Sequence, residues 1–145
     1  MIRLDLPIPP SANELFLNNI GRGYGRRIAP KYAAWRWQAF LALRNGLKSA
    51  PVGKIEGRYK LTIYLPERMR GDCDNRIKAV SDFLVDRNIT HDDRYCADVR
   101  ALRASIVEAR RCVVEIESLD PVQAVAGARG PEASASGPFQ KTMCK

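Results

Sequence analysis

The sequence predicts an α/β domain of the α+β kind: a small mixed sheet of four strands carrying two helices, in the order β-α-β-α-β-β. Three observations lead there. Four stretches alternate apolar and polar residues with the period of two that turns one face of a strand toward a core. Two longer stretches between them repeat apolar residues at the spacing of a helix face. The chain has 145 residues and a hydrophobic fraction of 46%, which fits one domain with one core.

The first strand is Ile2-Arg3-Leu4-Asp5-Leu6, ended by Pro7, Pro9 and Pro10, because proline brings no N–H to a ladder. Ser11, Asn13, Asn18 and Asn19 continue as loop into Gly21-Arg22-Gly23-Tyr24-Gly25-Arg26-Arg27, which reads as a flexible basic arm. No strand precedes these glycines at the spacing of a Walker A or dinucleotide fingerprint. Pro30 opens the first helix, which runs to about Leu47 with Trp35, Phe40, Leu43 and Leu47 roughly on one side. Trp35 and Trp37 cannot both face the core squarely: either one packs and the other meets a partner, or both rings are partly buried. A turn-rich connection, Pro51 to Gly57, leads to the second strand, Arg58 to Leu65, with Tyr59, Leu61, Ile63 and Leu65 inward.

Pro66 ends that strand, and Glu67-Arg68-Met69-Arg70-Gly71 delivers the chain to Asp72. The second helix spans Asn75 to about Arg87, with Asp74 or Asn75 as its cap and Ile77, Val80, Phe83 and Leu84 as its stripe. Asp82 and Asp86 fall on its solvated side. The third strand is Tyr95 to about Val107, the fourth Arg111 to Leu119 with Cys112, Val114 and Ile116 inward. The folded domain is therefore expected over residues 1–119. Residues 120–145, rich in Ala, Gly, Ser and Pro, bury too little to offset their ordering entropy and read as a disordered tail.

Formal net charge is +8, a balance that in one small domain points to a polyanion, above all nucleic acid. From Arg22 to Arg44 there is no acidic residue. Arg22, Arg26, Arg27 and Lys31, with Arg68, Arg70 and Arg76 around the acidic motif, are the candidate phosphate contacts. No long apolar run and no basic amphipathic helix speaks for a membrane. Met1 leads straight into a strand rather than a signal peptide, so a cytoplasmic location is expected. The cysteines, at positions 73, 96, 112 and 144, form no Cys-x-x-Cys pair, which argues against zinc and for reduced thiols.

Asp72 and Asp74 are two residues apart, so an extended backbone aims both at one point. Adjacent carboxylates repel unless a hard cation sits between them. Lys78 lies one helical turn past Asp74, and a second pair, Asp92-Asp93, follows the helix. Phosphodiester cleavage needs an activated water, a neutralised phosphate and a stabilised leaving oxygen, and Mg2+ held by carboxylates serves all three. Asp72, Asp74 and one of Asp92 and Asp93 are the candidate ligands, with Lys78 to stabilise charge on the phosphate. The bland alternative is a capped helix start with solvated acids. Asp-x-Asp alone is weak, and gains weight in a chain otherwise so basic.

Three segments together, Pro9-Pro10-Ser11-x-Asn13, Arg70-Gly71-Asp72-x-Asp74-Asn75-x-x-Lys78 and His91-Asp92-Asp93, resemble the RusA family of Holliday junction resolvases. The resemblance covers roughly Leu4 to Leu119. It implies a small homodimer that binds four-way DNA junctions and cuts two opposed strands symmetrically with magnesium, without a small-molecule cofactor. Asp72 and Asp74 match the two motif carboxylates, Lys78 the functional lysine, and Asp93 rather than Asp92 the third carboxylate. The departures from the family pattern are the long tail, Gly71 in place of a basic residue, and Cys73 between the acids. His91 reads as a loop histidine, and Tyr24 and Tyr95 as either base-stacking or packed rings. The expectation is a magnesium-dependent, structure-selective DNA endonuclease. The alternatives are a non-catalytic nucleic-acid-binding module and a metal nuclease with another nucleic-acid substrate.

Overall fold

The alternating stretches do pair into one sheet in the structure, a computed structural model that describes residues 1–19, 21, 23, 25–47 and 53–120. Its elements are β1 (Ile2–Pro7), β2 (Phe16–Asn18), β3 (Arg26–Ile28), α1 (Pro30–Leu47), β4 (Tyr59–Pro66), α2 (Ile77–Asp86), β5 (Cys96–Ala104) and β6 (Arg111–Ser118). The main sheet has the order β1-β6-β4-β5. β6 runs antiparallel to both neighbours, with Leu4 opposite Val114 and Ile63 opposite Val114. β4 and β5 run parallel, from Tyr59 beside Cys96 to Pro66 beside Ala104. The result is the expected mixed four-stranded sheet with two helices.

β4 lies between two strands, and Tyr59, Leu61, Ile63 and Leu65 are fully buried on one face of it. Leu6, Cys112, Val114 and Ile116 extend that face, and both helices cover it. Burial pushes the Cys112 thiol up to about 12, so it serves as a small apolar core group. Phe83 of α2 is completely buried with its ring edge against Trp35 of α1, centroids 5.5 Å apart. Burying a side chain of this size contributes about 1.5–3 kcal/mol.

Several local expectations need correction. The basic arm is no featureless loop. β2 and β3 form a two-stranded hairpin, Leu17 opposite Arg27, closed by the Asn19 N–H on the Gly25 carbonyl at 3.1 Å. The buried stripe of α1 is Tyr32, Trp35, Ala39 and Leu43, with Phe40 only partly buried and the Leu47 side chain outside the described set. Trp35 is buried and donates its indole N–H to the Pro7 carbonyl, whereas Trp37 is 60% exposed. Neither Asp74 nor Asn75 caps α2. A 3-10 turn, Asp74–Arg76, precedes the helix, whose first residue is Ile77. A second such turn, Asp93–Tyr95, shortens the third predicted strand at its start. Asp120, assigned above to the tail, accepts the Arg58 N–H at 2.8 Å, while 121–145 fall outside the described residues.

The two helices are also joined by charge. Arg36 of α1 donates to the Asp86 carboxylate at the end of α2 at 2.7 Å. That hydrogen bond holds the Asp86 carboxyl below its ordinary 3.8. A carboxyl lowered by folding stabilises the fold above its unfolded value, and the contribution is lost as pH falls through the folded value. Asp86→Asn is therefore expected to lower the unfolding free energy measured in urea near neutral pH, by no more than about 1 kcal/mol because the pair is partly exposed. The difference from the unmodified protein should shrink as pH drops below 3.8. A gap that stayed constant under acid would place the loss in packing instead.

Candidate active site

The acidic motif is reached through a loop built on arginines. Arg103, near the end of β5, donates to the carbonyls of Glu67, Met69 and Gly71, the last at 2.7 Å. Arg76 works from the other side, donating to the Arg70 carbonyl at 3.2 Å and the Pro9 carbonyl at 2.6 Å. Pro9 leads into a capping box in which Ser11 and Glu14 exchange hydrogen bonds, so the Pro-Pro-Ser segment buttresses the motif loop. Gly71 has φ +87, in the left-handed region, where a residue with a Cβ is strained. Glycine there follows from the bend that swings the chain into Asp72.

Asp72 and Asp74 are both exposed at the start of α2, and Asp74 accepts the Asn75 N–H at 3.0 Å. Lys78 is exposed too, but its ammonium stands 3.2 Å from Asp82, one turn further along the helix. Asp92 and Asp93 sit at the other end of α2. Asp92 accepts the Arg94 N–H at 3.0 Å, and that bond, with its Asp93 neighbour and the Arg94 guanidinium, holds its carboxyl below the usual range. Asp93 is exposed and faces a shallow cleft of about 340 Å³ lined by Asp82, Val85, Asp86 and Asp92. Asp82 and Asp86, expected on a solvated side, are thus walls of that cleft. Beneath the turn Tyr59 is fully buried, which pushes its phenol up to about 12 and keeps it neutral.

The chain therefore groups Asp72 with Asp74 at one end of α2 and Asp93 with Asp92 at the other. Ten residues of helix lie between, about 15 Å. Among the described residues, no three His, Cys, Asp or Glu side chains gather closely enough to hold one ion. Within the single chain the three acids do not meet, and the parallel pairing of β4 and β5 is the reason. A residue just after β4 and a residue just before β5 lie at opposite ends of the sheet, with α2 as the crossover between them.

The candidate phosphate contacts divide. Arg68 and Arg70 are exposed and take part in no ion pair among the described residues. Arg26 and Arg27 lie on the exposed strand β3, Arg26 over the Phe16 ring at 5.3 Å. Lys31 pairs with Glu14, and Arg76 is tied to the loop. Arg22 and Tyr24 lie outside the described residues. His91 packs against Tyr95, ring centroids 5.9 Å apart, on the Asp93 turn.

Residues 7–117 match the profile of a family described as Endodeoxyribonuclease RusA. The chain belongs to the RusA family of endodeoxyribonucleases. The match takes in both acid groups, the arginine-held loop, β4, β5 and all but the last residue of β6, begins at the final residue of β1, and stops short of the tail. Among similar proteins is the crossover junction endodeoxyribonuclease of Enterobacteria phage HK97, 30% identical over 117 residues, 81% of this chain and 94% of that one. The protein of the same name from Shigella sonnei is 25% identical over 116 residues, 80% and 93% of the two chains. That of Escherichia coli K12 is 24% identical over the same shares. No helix of the described residues is long and apolar enough to cross a membrane.

The donor set fits a hard cation. Asp72, Asp74 and Asp93 present exposed carboxylates outside the ion pairs of the described residues, and oxygen is the donor magnesium takes. Arg103 is the loop-holding residue that sequence reasoning missed. Nothing in a strand pattern marks one exposed arginine as the ligand of three carbonyls 32 to 36 residues away. Its removal is expected to slow single-turnover DNA cleavage on the order of 10²-fold, the effect of a small misplacement of catalytic groups. DNA affinity should change little in Arg103→Ala. Arg103→Lys should recover only part of the rate, since an ammonium lacks the planar fork. An equal loss of affinity and rate would instead make Arg103 a DNA contact.

Proposed function

We propose that the protein is a magnesium-dependent, structure-selective endodeoxyribonuclease of the cytoplasm that works as a homodimer, resolving four-way DNA junctions by paired symmetric cuts in recombination and repair. The observation that carries this reading is the placing of the two acid groups at opposite ends of an open-edged strand. β5 lies at the sheet edge, and Val99 and Leu102 on it are 44% and 38% exposed. Antiparallel pairing of β5 with its two-fold mate sets the Cys96 end of each strand against the Ala104 end of the other. Asp93 of the partner subunit then comes to the end that holds Gly71, Asp72 and Asp74. Two such sites, related by the dyad, suit two opposed strands of a junction. The names of the phage and bacterial relatives support a crossover junction as the substrate.

In this reading Asp72, Asp74 and the partner's Asp93 hold the cation, which supplies charge neutralisation and a water of lowered pKa. The chain's own groups do the rest. Arg68 and Arg70 flank the acids and bind the phosphates on either side of the bond. Lys78, one turn into α2, stabilises charge that builds on the phosphate, with Asp82 positioning its ammonium. Arg103 and Arg76 keep the loop from yielding as the phosphate enters. Residues 1–119 carry these functions, and the segment after Asp120 is dispensable for folding and cleavage.

Asp72→Asn, Asp74→Asn and Asp93→Asn are each expected to abolish most junction cleavage in magnesium while retaining binding in calcium, since the amide keeps the shape and loses the charge. Mixing is the sharper test. Dimers of an Asp72→Asn chain with an Asp93→Asn chain gather both changes in one site and leave the other intact. The mixture should regain nicking of one strand, although neither variant alone cuts. No recovery would mean that each chain supplies its own three acids. Junction binding without cleavage in the unmodified protein would favour a non-catalytic module.

Binding is expected to weaken steeply with salt as counterions are released. Arg68→Ala and Arg70→Ala should each reduce the slope of log affinity against log salt by about 0.9. An unchanged slope would remove these side chains from the DNA backbone.

A further inference from the structure

The exposed face of α1 holds an aromatic surface that the reaction just described does not use. Trp37 is 60% exposed, the largest side chain so left among the described residues. Its ring is tilted against Phe40, centroids 5.6 Å apart. The two rings line a shallow groove of about 250 Å³ with Ala33, Arg36 and Arg87. Arg87 lies over the Phe40 ring at 4.8 Å, and Arg36 over the Tyr32 ring at 5.6 Å. Both guanidiniums also reach Asp86, at 2.7 and 2.9 Å. Two cations against one carboxylate leave the groove positive.

Asp86 is shared. It forms one wall of the cleft that Asp93 faces, and it anchors the two arginines of the aromatic groove. The groove is therefore next door to the Asp93 end of the molecule. We propose that Trp37 and Phe40, flanked by Arg36 and Arg87, form a stacking platform for an unpaired base at the branch point of the DNA. The proposal rests on the reading of branched DNA as substrate and adds a specific contact to it.

The chemistry of the groove favours a base over the other occupants. Aromatic faces interleaved with guanidiniums are what successive bases of single-stranded nucleic acid stack upon, and the contact tolerates any base because every base has a π-face. A paired base inside a duplex offers no such face, whereas the strands that exchange at a branch point can be unstacked. A second copy of this chain fits less well. In a two-fold contact the same patch meets itself, so Arg36 and Arg87 of both copies would be brought together with like charge. The open edge of β5 provides a contact without that conflict.

The test uses the full chain with Trp37→Ala and Trp37→Phe, a four-way junction, and a linear duplex of the same sequence, with calcium in place of magnesium for binding. Trp37→Ala should weaken junction binding roughly 5- to 150-fold, the range for losing one base–aromatic stack, and leave duplex binding unchanged. Trp37→Phe should keep most of the junction affinity. In the unmodified protein, junction should shield tryptophan emission from acrylamide, and in Trp37→Ala it should not, since Trp35 is already buried. Thermal midpoints should agree among all three proteins because the side chain is exposed. Junction affinity and cutting equal to the unmodified protein in Trp37→Ala would overturn the platform. So would equal losses on junction and duplex, or a dimer that becomes a monomer, which would assign the face to a second copy. If the unmodified protein itself prefers no junction, the branched-DNA reading falls first and takes the platform with it.

Discussion

The parallel pairing of β4 and β5 is the constraint on which the rest of this molecule turns. Two antiparallel strands can be joined by a tight turn, and residues beside that turn stay together. Parallel strands need a crossover, and here α2 supplies it. The helix buries Phe83, Leu84, Val80 and Ala79 on the sheet, so its position is fixed by the same core that fixes the strands. The acids before and after it inherit a separation that no side-chain rotation removes. A catalytic centre that draws on both groups must be completed from outside the chain. In the proposed homodimer, a pair of sites then follows from the topology and needs no added regulatory device.

Within that frame the arginines have divided roles. Arg103 and Arg76 satisfy loop carbonyls that no strand or helix claims, including those of Met69, Gly71 and Arg70. Backbone groups of this kind need partners, and a forked, permanently charged donor serves several at once. Arg36 and Arg87 tie the helices through Asp86. Arg68 and Arg70 remain exposed beside Asp72. Net charge says nothing of which cations are free for phosphate, and it is the location of Arg68 and Arg70, unpaired among the described residues, that points to the motif.

The main sheet was legible in the sequence because Leu4, Leu6, Tyr59, Leu61, Ile63, Leu65, Cys112, Val114 and Ile116 carry a period of two that core burial enforces. The β2–β3 hairpin was not, since its strands have three residues each and its turn rests on glycines with positive φ rather than on a hydrophobic pattern. Asp72 and Asp74 were readable as neighbours because they are two residues apart, but Cys73 between them is helical, with φ −67 and ψ −40, and not extended as expected. Asp93 was readable as a candidate but not in position, because linear spacing carries no information on whether two strands run parallel. Asp82 looked like solvated helix surface, and only the fold of the 91–95 turn over α2 makes it a wall of the cleft.

Asp120 closes the described chain against the start of β4. It accepts the Arg58 N–H, and a Cβ at Gly57 would push its carboxylate aside, so glycine lets the two segments meet closely. Tyr59 also pairs with Ser118 and with Cys96, while Ile2 lies opposite Ile116. The first and last strands thus enter and leave the sheet at the same end, the one that carries Asp93. For protein engineering this neighbourhood has a direct use. A short linker joining the two points would permit circular permutation with little reach. Any module fused after Asp120 starts at the end of the sheet that carries Asp93, so the anchor sets the module's effective concentration there as much as its tether length does.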